Sequence, residues 1–286
     1  MPKCKWNIKS TVTEKAKKLS KLIGLSPVTA QILINRGLDT PEAVQAFLAP
    51  SLSKLPDPFS LSDMKKAADR LADAVEKKET VCIYGDYDID GSTSIATVVN
   101  FLRGVGVDAK YYQPERFLEG YGLHIESVKN IQKDGVSLLI SVDCGTSSID
   151  TANYCKEAGI DLIITDHHKI GSELPNAYAF VNPHKAGENE VFLSLAGVGV
   201  AYYLVIATRK VLRDRGFFND HEDQPDLKNY LDIVAFGTIA DVVPLMGINR
   251  IFVRKGLDII NNNSRAGHTA LMEVSALKTK VNSDAL

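Results

Sequence analysis

The chain lacks the long apolar segments that membrane proteins require. No uninterrupted apolar run approaches the roughly 20 residues that span a bilayer, although 45% of the 286 residues are hydrophobic. The first residues, Met1-Pro2-Lys3-Cys4-Lys5-Trp6, lack the apolar core of a signal peptide. These absences favour a globular, cytoplasmic protein that is long enough for one large domain or two small ones.

Paired cysteines and a nucleotide-binding glycine loop are missing as well. The cysteines are isolated and form no CxxC pair: Cys4, Cys82, Cys144 and Cys155. This spacing disfavours a zinc finger and favours reduced thiols. Because no P-loop is present, nucleotide hydrolysis of the Walker type is disfavoured. The net charge is -2, so the overall charge does not indicate a nucleic-acid partner.

From residue 80 onward the sequence alternates between short apolar runs and helical patterns. The runs predict strands over residues 80–84, 107–112, 137–142, 162–165 and 177–181. Strands that alternate with helices predict an α/β fold, with a mainly parallel β-sheet flanked by helices. Short helices between about residues 12 and 50, opened by Ser26-Pro27 and Thr40-Pro41, predict a small helical lead-in before the sheet.

The domain organisation follows from these patterns and from a proline-rich segment over residues 49–58, which is typical of a linker. We predict a helical and extended lead-in over residues 1–60 and a catalytic α/β domain over residues 61–262. Residues 263–286 then form the start of a linking helix.

Acidic residues and histidines follow four of the apolar segments. They are Asp86, Asp88, Asp90, Asp143, the turn Asp166-His167-His168, and Asp241. Loops at the carboxyl ends of parallel strands converge on one crevice, where such side chains are most simply explained as metal ligands. Asp143 alone would be typical of a helix cap and Asp241 of a helix end. The prediction of a metal site therefore depends on the whole set.

The first acidic loop carries three carboxylates within five residues: Asp86, Asp88 and Asp90. They repel one another unless a cation lies between them, and a hard divalent cation with oxygen ligands supplies that charge. A solvated turn or a calcium-type loop is the alternative. An EF-hand is disfavoured, since the twelfth position from Asp86 is Thr97 and not the required glutamate. We expect a helix to begin near Ser92 and to favour a nearby phosphate.

The turn Asp166-His167-His168 is the more specific signal. Neutral histidine binds manganese, iron or zinc well, but not magnesium. One histidine can therefore bind a metal while its neighbour faces the substrate, and Asp166 can hold a histidine tautomer. Mixed carboxylate and imidazole ligands suit two divalent metals a few ångströms apart, which together activate water and bind a phosphorus centre. The residues thus predict a metal-dependent phosphoesterase.

These segments resemble the DHH phosphoesterase superfamily, and within it the RecJ-type single-stranded-DNA-specific exonucleases. The turn Asp166-His167-His168 corresponds to the motif that names the superfamily. The resemblance covers about residues 25–262. The matching segments are 84–91, 114–116, 119–123, 141–145, 181–184, 195–201 and 237–245.

The resemblance implies roles for matching residues. It implies two manganese ions, with Asp143 bridging them and with Asp88, Asp90, His167 and Asp241 as further ligands. Asp86 is implied as a ligand or as a support for one. His168 corresponds to the residue that contacts the scissile phosphate, and Asp166 supports His168. Arg116 corresponds to an additional phosphate or DNA contact. Magnesium is an alternative metal.

The implied activity is 5′-to-3′ exonuclease cleavage of single-stranded DNA, in DNA repair and recombination. Protein partners of such an enzyme include a single-stranded-DNA-binding protein or a helicase. Family exonucleases continue beyond the length of this chain, into a DHH-associated domain and an oligonucleotide-binding barrel. We therefore expect this chain to be a catalytic lobe.

Two alternatives stay open. One is a DHH-family phosphatase for oligoribonucleotides or nucleotides, and the other is a non-catalytic binding module derived from a RecJ-type exonuclease. A family pyrophosphatase is disfavoured, because it would carry a histidine at the position of Asp86.

Overall fold

The computed structural model describes residues 12–220, 223–262, 265–277 and 280–284. Residues 1–11 of the predicted lead-in and residues 263–264, 278–279 and 285–286 of the predicted linking segment lie outside these ranges. The chain divides into two compact units, residues 1–54 and 55–286. In the described part of the chain, no helix is long and apolar enough to cross a membrane.

The first unit consists of short helices with strong capping signals. They are α1 (Glu14–Ile23), α2 (Pro27–Asn35) and α3 (Pro41–Leu48), followed by a 3-10 helix, Leu52–Lys54. The side chains of Thr13, Ser26 and Thr40 each accept a hydrogen bond from a backbone N–H in the first turn of the helix that follows. Proline at the first position of α2 and of α3 suits a helix start. The predicted helix starts at Ser26-Pro27 and Thr40-Pro41 are thus observed.

The second unit contains a parallel sheet of five strands. They are β1 (Val81–Gly85), β2 (Lys110–Tyr112), β3 (Leu138–Val142), β4 (Asp161–Thr165) and β5 (Ala179–Val181). Their spatial order is β2-β1-β3-β4-β5, and every neighbouring pair is parallel. The predicted α/β fold with a mainly parallel sheet is confirmed. The chain switches direction across the sheet between β1 and β3, and the crevice at such a switch point is the usual ligand site.

The second unit also contains helices, several of which cover the two faces of the sheet. The helices are α4 (Met64–Lys77), α5 (Ile89–Gly104), α6 (Ile125–Lys133), α7 (Ile149–Glu157), α8 (Gly197–Asp214), α9 (Leu231–Ala240), α10 (Gly247–Asn262) and α11 (Ala266–Val274). Further 3-10 helices span Pro58–Ser60, Glu190–Phe192 and Leu227–Tyr230. On one face, Tyr84, Leu139 and Ile164 pack with Val128 of α6 and Cys155 of α7. Helices α4, α5 and α8 contact the strands as well. Every residue of β1 and β3 is buried, as expected for a sheet covered on both faces.

The start of α5 differs from the prediction. The helix begins at Ile89, three residues before Ser92, because the Asp88 side chain accepts the backbone N–H of Gly91 and caps the helix. Asp90 consequently lies in the first helical turn and not in the loop before it. Its carboxylate therefore points in a direction set by the helix.

A partly buried ion network joins α4 to the amino-terminal ends of the strands. The Arg70 guanidinium donates to Glu79 at 2.7 Å and to Asp161 at 2.6 Å, and Glu79 also accepts the Ser137 hydroxyl at 2.8 Å. Burial alone would raise the pKa of Glu79, but the hydrogen bonds from Arg70 and Ser137 outweigh it and lower that pKa. The network thus stabilises the charged form of Glu79.

We expect Arg70→Met to lower the free energy of unfolding by about 1–3 kcal/mol, because it leaves a partly buried carboxylate without its partner. Since the folded-state pKa of Glu79 is depressed, this stabilisation is present above the unfolded pKa and is lost as the pH falls through the folded value. The difference in the free energy of unfolding between wild type and Arg70→Met should therefore shrink below about pH 4. Urea unfolding at pH 7 and pH 3.5 measures it. Lys65→Met, which removes the exposed pair with Asp69, should change stability by less than about 1 kcal/mol.

Candidate metal centre

Three neighbouring strands deliver acidic residues to one edge of the sheet. Asp86 directly follows β1, Asp143 follows β3 and Asp166 follows β4. These strands are adjacent, so their carboxyl ends lie side by side. Asp241 is the residue at which α9 ends. Residues far apart in the sequence therefore meet at the switch point of the sheet.

The potential ligand atoms form three overlapping groups, within each of which all atoms lie within 4.8 Å of one another. The groups are Asp86, Asp88 and Asp143; Asp143, His167 and His168; and Asp90, His167 and Asp241. We call these seven residues the candidate metal centre. It includes all six predicted metal ligands, and Asp143 and His167 each belong to two groups.

His167 lies in the middle of this cluster. Its Nε2 atom is 3.2 Å from Asp143 Oδ1, 3.7 Å from Asp90 Oδ2 and 3.8 Å from Asp241 Oδ2. A single imidazole nitrogen thus faces three carboxylates. Distances of this size leave space for a cation between the nitrogen and the oxygens.

The carboxylates carry more buried negative charge than their protein partners neutralise. Among the described residues, Asp86 Oδ1, Asp143 Oδ1 and Asp241 Oδ2 are buried and accept no hydrogen bond. Burial raises the pKa of Asp86 and of Asp241. Burial, together with the charges of Asp90 and Asp88, raises the pKa of Asp143 well above its usual range. Unsatisfied buried carboxylates are costly, so bound cations fit this arrangement.

Asp90 is held by the amino terminus of α8. Its carboxylate accepts the backbone N–H of Gly197 at 2.7 Å and that of Val198 at 2.9 Å. Burial raises the pKa of Asp90 to about 6, against the opposing effects of His167 and of these N–H groups. The partial positive charge of a helix amino terminus stabilises a carboxylate there. Helix α8 therefore orients Asp90 toward His167.

Glycines allow the backbone to approach these carboxylates closely. A Cβ atom added to Gly197 would lie 2.5 Å from Asp143 Oδ1, and one added to Gly237 would lie 3.2 Å from Asp90 Oδ1. At Gly91 it would collide with the backbone of Asp86. The centre is therefore packed against bare backbone on several sides.

The backbone is strained at two positions of the centre. Asp143 has φ 58° and Val242, directly after Asp241, has φ 60°. The left-handed region is tolerated by aspartate but is unusual for a β-branched residue such as valine. Such strain persists only where the surroundings enforce it, and it is concentrated at functional sites.

Asp166 supports His168 rather than His167. Its Oδ1 atom lies 2.7 Å from His168 Nδ1 and accepts the backbone N–H of His167 at 2.7 Å, while Oδ2 accepts that of Thr146 at 2.9 Å. Burial would raise the pKa of Asp166, but these bonds lower it far below its usual range. The bond to Asp166 raises the pKa of His168. Asp166 is thus a charged support that fixes the ring of His168.

Arg116 lies beside the centre and outside the ligand groups. It is exposed, on the turn that follows β2, and its guanidinium carbon is 5.3 Å from the centre of the Tyr87 ring. Tyr87 directly follows Asp86. Arg116 is therefore available to an anion that approaches the first acidic loop.

The sequence did not indicate roles for two residues that contact the Asp166-His167-His168 turn. The Tyr121 hydroxyl lies 3.0 Å from both ring nitrogens of His168. Asn182 is fully buried, and its side-chain amide donates to the His168 carbonyl and to the Thr146 hydroxyl, both at 2.9 Å. Both residues lie in segments that carry the resemblance. Only the tertiary structure reveals these contacts.

The family model described as "DHH family, N-terminal domain" matches residues 80–238. This match covers more than half of the chain and includes six of the seven residues of the centre. The chain belongs to the DHH family. The resemblance to the DHH superfamily drawn from the motifs is thereby confirmed.

Relatives of this DHH domain include RecJ exonucleases. The single-stranded-DNA-specific exonuclease RecJ of Bacillus subtilis is 38% identical over 273 residues, which are 96% of this chain and 33% of the relative. The structure of Thermus thermophilus RecJ with Mn²⁺ gives a TM-score of 0.74 at 30% identity, covering 91% of this chain and 35% of that one. The structure of the same protein with Mg²⁺ gives a TM-score of 0.62 at 27% identity, covering 91% of this chain and 32% of that one. This chain thus spans about a third of the length of these relatives.

Proposed function

We propose that this DHH domain hydrolyses phosphodiester bonds in single-stranded DNA, as the catalytic part of a RecJ-type exonuclease. The observation that carries the proposal is that three ligand groups overlap at Asp143 and His167, so that the centre can hold two neighbouring cations. The similarity to RecJ exonucleases supports single-stranded DNA as the substrate. The 5′-to-3′ polarity is part of the proposal and follows from the family.

Two manganese ions are the cations that best suit the donors, and magnesium is the alternative. Asp86, Asp88 and Asp143 offer one site, and Asp90, His167 and Asp241 offer the other. The combination of carboxylate oxygens with an imidazole nitrogen favours manganese. Relatives with Mn²⁺ and with Mg²⁺ support both metals. When bound, such a pair supplies an activated water and charge stabilisation at phosphorus.

The protein's own residues orient the phosphate. His168, fixed by Asp166, is half exposed and donates a ring N–H to a phosphate oxygen. Tyr121 packs against the same ring, with the two ring centres 5.5 Å apart, and limits its rotation. Arg116 contributes a second positive charge beside the first acidic loop. These groups hold the diester against the carboxylate cluster, and fixed geometry of this kind accelerates displacement.

The test separates the metal centre from the DNA-binding surface. The purified chain is incubated with Mn²⁺ and three substrates: 5′-labelled single-stranded DNA, a short RNA, and bis(p-nitrophenyl) phosphate. We expect hydrolysis of the generic diester and release of nucleotides from DNA, both abolished by EDTA.

Each contrary result has a distinct meaning. Preferential cleavage of the short RNA would favour the oligoribonucleotide phosphatase. Failure to cleave any substrate, with manganese binding demonstrated by calorimetry, would favour a non-catalytic module.

The assignment of residues 61–262 as the catalytic domain belongs to this proposal. The cytoplasmic location and a single-stranded-DNA-binding protein or helicase as partner follow from the proposed substrate and stay predictions.

A further inference from the structure

The loop over residues 113–121, which we call the rim loop, is attached to the metal centre at both ends. It follows β2 and leads toward α6. At its start the Gln113 side chain donates to the Asp86 carbonyl at 2.9 Å and to the Ser92 hydroxyl at 2.7 Å. At its end the Tyr121 hydroxyl lies 3.0 Å from the His168 ring nitrogens. The rim loop is therefore fixed beside the centre.

Glu119 holds the middle of the rim loop in shape. Its carboxylate accepts the Tyr112 hydroxyl at 2.6 Å, the Ser127 hydroxyl at 2.7 Å and the backbone N–H of Glu115 at 2.8 Å. The backbone N–H of Leu118 donates to the Glu115 carbonyl at 3.2 Å and closes the turn. The turn is thus ordered by hydrogen bonds and not by packing of its own apolar side chains.

The tip of the rim loop presents two adjacent apolar side chains to solvent. Phe117 is 89% exposed and Leu118 is 87% exposed. Single exposed apolar residues are common, but these two are neighbours on an ordered turn next to a polar site, and exposed apolar surface of this kind is a candidate binding surface. Arg116 precedes them, with its guanidinium over Tyr87. The tip therefore combines a cation with an exposed aromatic face.

We propose that Phe117 is a stacking platform for a nucleobase of single-stranded DNA, with Leu118 packing against the edge of that base and Arg116 pairing with the adjoining phosphate. The inference rests on the proposed function and extends it from the metal centre to the neighbouring nucleotides. Aromatic platforms next to cations bind single strands with little sequence preference, because every base has a π-face.

A nucleobase fits this tip better than a protein surface does. A stable protein interface buries about 800 Å² on each partner, far more than two side chains on one turn supply. The adjacent guanidinium and the cation sites attract a polyanion. A strand whose phosphate lies at the centre would also bring its next bases to the rim loop, since both ends of the loop contact the centre.

The test uses fluorescence anisotropy of labelled 12-mers in Ca²⁺, a hard cation that takes oxygen ligands, and gel electrophoresis after each measurement verifies that the strands are intact. One strand is oligothymidylate and the other is its abasic counterpart. We expect Phe117→Ala to weaken oligothymidylate binding about tenfold, the size of one base–aromatic contact, and Phe117→Trp to restore it. Wild type and Phe117→Ala should bind the abasic strand equally. Arg116→Ala should reduce the salt dependence of the binding constant by the equivalent of about one phosphate contact, whereas Phe117→Ala should leave that salt dependence unchanged.

Val274→Ala is the matched control, because Val274 is also 87% exposed but lies on α11. It should bind oligothymidylate as wild type does. Thermal unfolding verifies that each variant is folded.

Wild-type affinity in Phe117→Ala would overturn the inference, and so would an equal loss on the abasic strand. In both cases binding of oligothymidylate by the wild-type chain leaves the proposed function standing. If the wild-type chain binds neither strand, both the inference and single-stranded DNA as the substrate fail.

Discussion

Asp143→Asn is expected to reduce both the manganese affinity and the rate of bis(p-nitrophenyl) phosphate hydrolysis at least about a hundredfold. This effect is larger than the one expected on removing a residue that only supports a metal ligand. Asp143 is a candidate ligand of one cation site, and its Oδ1 atom lies 3.2 Å from His167 Nε2 of the other, so its charge acts on both sites. Asparagine tolerates the left-handed backbone that Asp143 adopts. The loss would therefore reflect chemistry and not misfolding. Calorimetric titration with MnCl₂ and the rate of ester hydrolysis measure it.

The same substitution should stabilise the metal-free protein. Without cations, Asp143 is a buried charge near Asp90 and Asp88, and burial together with these charges raises its pKa. Removing that charge should raise the unfolding midpoint in EDTA by about 2–4 °C, the shift that ~1 kcal/mol produces in a protein of this size. Asp150→Asn, an exposed change on α7, is the control and should alter neither property. Manganese affinity equal to wild type in Asp143→Asn would exclude Asp143 as a ligand.

Gly197→Ala is expected to impair the centre from the side of α8. The added methyl group would lie 2.5 Å from Asp143 Oδ1, and the N–H of the same residue holds Asp90 at 2.7 Å. One carboxylate or the helix must move. We expect ester hydrolysis to fall about a hundredfold and the free energy of unfolding to fall by about 1–3 kcal/mol.

Gly199→Ala provides a matched control on the same helix. Its added methyl group would lie 3.0 Å from the Leu195 side chain, which can adjust, and it lies next to no carboxylate of the centre. This variant should retain most of the hydrolysis rate. Equal activities of the two alanine variants would show that close packing against Asp143 is not required.

Local patterns were sufficient to predict the elements that carry the centre. Strand β3, for example, is a run of apolar residues followed by Asp143, and a buried parallel strand produces such a run. The helix starts at Ser26-Pro27 and Thr40-Pro41 were equally clear, because caps act within one turn. Helix α5 begins three residues before the predicted start near Ser92, because Asp88 caps it and a capping aspartate looks like a loop aspartate in the sequence.

Contacts over long sequence separations could not be predicted in this way. Asp90 is bound by backbone N–H groups more than 100 residues later, and Tyr121 meets a histidine 47 residues away. Neither contact is visible in the local sequence, because any backbone N–H could donate to Asp90 and any of several tyrosines could contact His168. The partner of Asp166 was similarly open, since both neighbouring histidines were within its reach.

Sequence patterns are sufficient to predict the fold class and the donor types of the candidate metal centre. Apolar periodicity depends on which side chains must be buried, and the donor types of aspartate and histidine are the same in any fold. The arrangement of these donors is visible only in the folded chain: which carboxylates share His167, which histidine Asp166 fixes, and how the rim loop lies against the centre. These depend on the order of strands in the sheet and on close packing at residues such as Gly197, which bring distant segments to within a few ångströms.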